Sequence, residues 1–184
     1  MRLFACLAAA AIAIAACGGG ATTASPAPTT ARTTAPTTAP TVAATPSPTP
    51  APTPANTFKA ELKASNQNPP IADAEASCTG NATITFTGTS AKFDVVVAGC
   101  PATTQLNIAH IHEGATGVNG PVRISTDLKA GDLTLTGGGV TFTRTVTGDA
   151  AIISQIMANP AGWYFNIHST LHGGGVVRGQ LTKA

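Results

Sequence analysis

Asn81–Thr89 reads NATITFTGT, and the alternation within it sets the fold class. Ala82, Ile84 and Phe86 fall on one parity, with Thr83, Thr85 and Thr87 on the other. A strand points successive side chains to opposite faces, so this is a half-buried β-strand and not a helix. The glycine at position 88 ends it with a turn signal. The same period of two recurs outward in both directions. TFKAELKAS sets Phe58, Ala60 and Leu62 against Lys59, Glu61 and Lys63, and AKFDVVVAG places Phe93, Val95 and Val97 together. LNIAHIHEG, PVRISTDL, GVTFTRTVT, GWYFNIHS and GVVRGQLT complete a set of eight candidate strands, each bounded by Gly, Pro, Asn or Asp. One segment breaks the pattern. GDAAIISQIMANPAG carries Ile152, Ile153, Ile156 and Met157 at helical spacing, with Asp149 as N-cap and Pro160 as stop. Many short strands and one short helix predict an all-β sandwich or barrel of Greek-key type.

The strands occupy only residues 57–184 of the 184-residue chain. Residues 1–16, MRLFACLAAAAIAIAA, set one basic residue before a short apolar run, the pattern of an export signal and too short for a comfortable membrane span. The run ends in IAAC, Ile14–Cys17, which resembles the bacterial lipobox, and this resemblance implies lipidation at Cys17 and a membrane anchor. Residues 17–56 are almost wholly Thr, Ala, Pro and Ser, as in TTAPTTAPTVAATPSPTPAPTPAN, with Arg32 as the one charge. Such a segment cannot offset the entropy of ordering and is expected to be an extended tether. The expected location is therefore the bacterial cell envelope, on the periplasmic or the surface side.

Within residues 57–184 the basic and acidic side chains cancel, and no basic patch points to nucleic acid. With Cys6 in the leader and Cys17 lipidated, Cys78 and Cys100 remain in an exported domain, where a disulfide is expected. Closing a loop of roughly twenty residues, it contributes about 3 kcal/mol on the chain-entropy estimate. No Ser-His-Asp order or phosphate loop is present. Asp73 and Glu75, two apart, read as a solvated strand edge and not as a catalytic pair.

The residues that carry chemistry are histidines. His110 and His112 lie two apart on a strand, so both imidazoles project from one face while Ile111 points into the core. His168, in another strand with Tyr164 and Asn166 on its face, offers a third ring, and His172, in the next turn, is a candidate further ligand. Two readings stand side by side: a copper or zinc site, or imidazoles that only stitch loops together through hydrogen bonds. Glu113 reads as a solvated turn residue or an acceptor for one imidazole. Gly117 and the Asn119-Gly120 pair read as turn residues with positive φ.

AHIHEGATGVNGPV (Ala109–Val122) and GWYFNIHSTLHGGGVVRGQL (Gly162–Leu181) together resemble the two signature segments of the CHRD domain, a module named for chordin, and the likeness runs from Phe58 to Leu181. HIHEG is also similar to the histidine strand of copper/zinc superoxide dismutases, where such histidines hold copper. These resemblances imply an immunoglobulin-like or superoxide-dismutase-like β-sandwich with His110, His112 and His168 as metal ligands, while no zinc loop with its further histidines and aspartate is recognisable. Arg178, in VVRGQL, is expected to clamp the histidine strands by reaching a carboxylate such as Glu113 or strand-end carbonyls. Three functions follow as expectations: a non-enzymatic binding module that takes copper or another divalent metal, a copper-dependent dismutase-like enzyme, or a structural or adhesion domain.

Overall fold

The computed structural model of the protein describes residues 56–184. The expected leader, the lipidation at Cys17 and the tether up to its last residue lie outside the described residues. In chain order the strands are β1 (Asn56–Lys63), β2 (Thr79–Thr87), β3 (Ser90–Ala98), β4 (Leu106–Glu113), β5 (Val122–Ser125), β6 (Val140–Thr147), β7 (Trp163–Ser169), β8 (Val177–Gln180) and β9 (Thr182–Lys183). One helix, α1 (Ala150–Ala158), lies between β6 and β7. The class is all-β with one short helix, as the alternation predicts.

Every ladder is antiparallel, in the order β5-β4-β7-β8-β1-β2-β3-β6, with β9 beside β1. β1, β2 and β3 form a meander in unbroken register, but β1 meets β8 at the single pair Lys63↔Arg178. At that thin seam the sheet turns and its halves face each other. Phe93 of β3 and Phe165 of β7, on either side of it with three strands between them in sheet order, stack with centroids 5.6 Å apart. Phe58, Leu62, Ile84, Ile111, Ile167 and Leu181 share the same core. Burying aliphatic and aromatic faces against one another is the main driving force for such a sandwich. The chain crosses between the halves after β3, β5, β6 and β8.

Local signals place the elements. The Asp149 carboxylate accepts from the Ala151 and Ile152 amides, which satisfies orphan donors of α1. Ile153 and Ile156 fill the core, whereas Met157, read as part of the apolar face, is exposed. The eighth alternating segment divides. Leu181 is buried, β8 pairs with β7, and β9 pairs with β1 instead. A Cβ at Gly179 would overlap the Glu61 backbone, so only glycine lets β8 lie this close to β1. Cys78 and Cys100 form the expected disulfide, with Cα atoms 4.3 Å apart, across the open end of the β2–β3 hairpin.

One strand departs from alternation. All seven residues of β7 are buried, because its outer face lies under the segments around Gln67, Gly120 and Gly173. Beneath that cover lies a polar layer.

Candidate metal centre

Ile111 of β4 is 0% exposed, which fixes the strand and turns His110 and His112 to its outer face. The antiparallel register sets His110 beside Asn166, His112 beside Tyr164 and Ile108 beside His168. That offset brings His168 diagonally against His110. One ring nitrogen from each of His110, His112 and His168 lies within 4.8 Å of the others, and among the described residues no other trio of His, Cys, Asp or Glu is so placed.

Backbone carbonyls orient two of the rings. The Gly120 carbonyl oxygen lies 2.9 Å from His112 Nδ1, and that of Gly173 lies 2.9 Å from His168 Nδ1. A carbonyl can only accept, so each Nδ1 carries the hydrogen and each Nε2 keeps its lone pair. The Nε2 of His112 is buried and has no hydrogen-bond partner. An orphaned buried acceptor is costly unless something occupies it. His168 Nε2 lies 3.3 Å from His110 Nδ1 and 3.3 Å from the amide nitrogen of Asn166. Nitrogens on one tetrahedral zinc, each at about 2.0–2.1 Å from the metal, are also about 3.3 Å apart. The donor set, its carbonyl supports and the unpartnered Nε2 therefore fit a transition metal of the imidazole-loving kind.

Electrostatics keep the rings neutral. Burial, then the neighbouring His168 and His112 rings, depress the His110 pKa to about 4. Burial likewise lowers His112, with the Arg178 charge adding to it, and lowers His168. Neutral imidazole is the form that binds metal.

Tyr164 braces the site. Its ring stacks on His112 at 4.9 Å between centroids and 9° between planes, and its hydroxyl accepts from the Gly120 amide. Gly120 serves close approach and not positive φ, contrary to the turn reading: a Cβ there would overlap the Glu113 carbonyl, while Gly117 does carry a φ of 79°. Asn166 locks the floor through a 2.7 Å hydrogen bond from Gln67 and another to the Gly174 carbonyl.

The other expected site residues fall elsewhere. His172 stands outside the trio, its Nε2 3.0 Å from a carboxylate oxygen of Asp73 and 3.7 Å from one of Glu75. Asp73 and Glu75 do not lie on a strand edge. Asp73 caps the 3-10 turn Ala74–Ser77 through the Glu75 amide, and Glu75 is buried, accepting from the Ser169 hydroxyl at 2.6 Å. Glu113 pairs with Arg123 at 2.7 Å in solvent and touches neither an imidazole nor Arg178. Arg178 reaches neutral acceptors instead: the Asn66 carbonyl at 2.6 Å, the Asn119 side-chain oxygen at 2.9 Å and the Val118 carbonyl at 3.4 Å.

Sequence reasoning missed Gln67, the burial of Glu75 and the bracing by Tyr164. A signal for the last existed in WYFNIHS, where the outward parity holds Tyr, Asn and His and none of the Thr and Lys of the solvated strands.

No curated protein matches the chain. The CHRD domain family model matches residues 58–181, which include both histidine strands, the glycine turns that hold His112 and His168, and nearly the whole sandwich; the chain belongs to the CHRD domain family.

Proposed function

We propose that this CHRD domain is a non-enzymatic, metal-binding module of the bacterial cell envelope, exported, lipid-anchored at Cys17 and held away from the membrane by residues 17–56. His110, His112 and His168 would hold one copper or zinc ion. The observation that carries this reading is the buried Nε2 of His112, unpartnered while its Nδ1 is held by Gly120. A bound ion would supply a positive, Lewis-acidic centre. The chain's own part is to present three neutral nitrogens, to fix two tautomers through backbone carbonyls and to join β4 to β7.

Thermal melts of the purified protein with Zn(II) and Cu(II) test the reading. A higher Tm at one equivalent of metal, lost in His112→Ala, supports it; an unchanged Tm with both metals contradicts it. The half-buried position of His110 favours a second reading, a dismutase-like copper enzyme, because it leaves one side of the trio open to a small ligand. Superoxide consumption by the copper-loaded protein would establish that reading. Copper binding without consumption leaves the binding module.

A further inference from the structure

Arg178 is 4% exposed, and no carboxylate lies within salt-bridge distance of it among the described residues. Its Nε and Nη1 donate to neutral oxygens of Asn66, Val118 and Asn119, and its guanidinium lies over the Tyr164 ring at 4.7 Å. A buried charge is normally matched by an opposite charge, and a π face and carbonyls offset it only in part. The Nη2 makes no hydrogen bond among the described residues and is not fully buried, so it retains access to solvent.

The same arginine lines a cavity of about 660 Å³, on the scale of small-ligand sites. Its other walls include amides and hydroxyls, Asn66, Gln67 and Asn68 from the segment after β1, Thr116 from the loop after β4, and Gln180 and Thr182 from the last strands, with Pro70 adding an apolar face. Gln67 is itself buried and tied to Asn166, so this wall is built and not merely surface. Glu61 also borders the cavity, but it is largely exposed and paired with Lys63 at 2.8 Å. Amides and hydroxyls suit a ligand rich in hydroxyl groups, and an unmatched guanidinium suits a carboxylate.

We propose that this cavity is a binding site for an acidic sugar, whose carboxylate pairs with Arg178 and whose hydroxyls meet the surrounding amides and threonines. The site adjoins the histidine trio through Tyr164 but uses none of its ring nitrogens and does not depend on a metal.

Titration of the full chain with D-glucuronate, D-glucose and acetate, followed by protein NMR, tests it. Glucuronate is expected to bind saturably and about tenfold more tightly than either control, because only it carries both the charge and the hydroxyls. Thr116→Glu, at an exposed wall position, should weaken glucuronate about tenfold by charge repulsion while leaving the fold and metal binding as they were. Glucose binding as tightly as glucuronate overturns the role of Arg178, and acetate doing so overturns the sugar assignment. No saturable binding of glucuronate, or full binding by Thr116→Glu, overturns the site.

Discussion

The two halves of the sandwich use their outer faces differently. On β1, β2 and β3 the burial alternates residue by residue, and the outward Thr, Lys and Asp side chains meet solvent. On β7 every residue is buried, and β8 exposes none of its first three. Most of the buried polar side chains, Gln67, Glu75, His112, Asn166, His168, Ser169 and Arg178, lie in or against that second half. Burying so many polar groups has a desolvation cost that only dense hydrogen bonding offsets. The solvated half can therefore be read as scaffold, and the covered half as the place where stability is traded for a site.

Perturbations should separate the halves in a definite order. Phe165→Ala removes a ring that both halves share, so it should destabilise the whole domain by about 3–5 kcal/mol in denaturant melts. A loss confined to one half would show that the halves do not share a core. Ser169→Ala strikes the covered half alone. It strips the buried Glu75 carboxylate of its 2.6 Å donor and should cost about 1–3 kcal/mol.

Acid should act on the same half. The folded-state pKa of His110 is about 4 against an unfolded value of 6.5, and His112 and His168 shift in the same direction. Between those limits the unfolded chain binds more protons than the folded one. Stability is then full above pH 6.5 and falls as pH drops through that window. The Tm of the metal-free protein should decline by several degrees from pH 7 to pH 4.5, and less so in His110→Ala. A flat profile would remove the neutral-imidazole description. Lys92→Ala, which breaks an exposed pair with Asp94 on the solvated half, should change stability by less than about 1 kcal/mol.

The same contrast decides what could be read from the sequence. Where one face meets water, as at Phe58–Lys63 and Asn81–Thr87, alternation marks both the strand and its register. Asp149 and Pro160 mark the ends of the helix because capping is local chemistry. In the covered half, partners come from far along the chain. Gln67 reaches Asn166 and Ser169 reaches Glu75, and no short window contains either pair. His110 and His112 were visible as a pair because strand parity is local. Their meeting with His168 depends on the β4–β7 register, and the departure of His172 toward Asp73 depends on a turn that no periodicity marks. The split of the last strand at Leu181 is of this kind too, since β8 pairs with the preceding strand β7 while β9 pairs with β1 at the far end of the described residues.

The central claim is that two imidazoles are held by their Nδ1 hydrogens so that their Nε2 lone pairs, with a nitrogen of His110, receive one ion. Long-range ¹H–¹⁵N spectra of the imidazoles, recorded before and during Zn(II) addition, test it most directly. His112 and His168 should begin as Nδ1–H tautomers, and their Nε2 resonances should move together and saturate at one equivalent. Nε2–H tautomers at the start, or Nε2 resonances that do not respond to zinc, would contradict it.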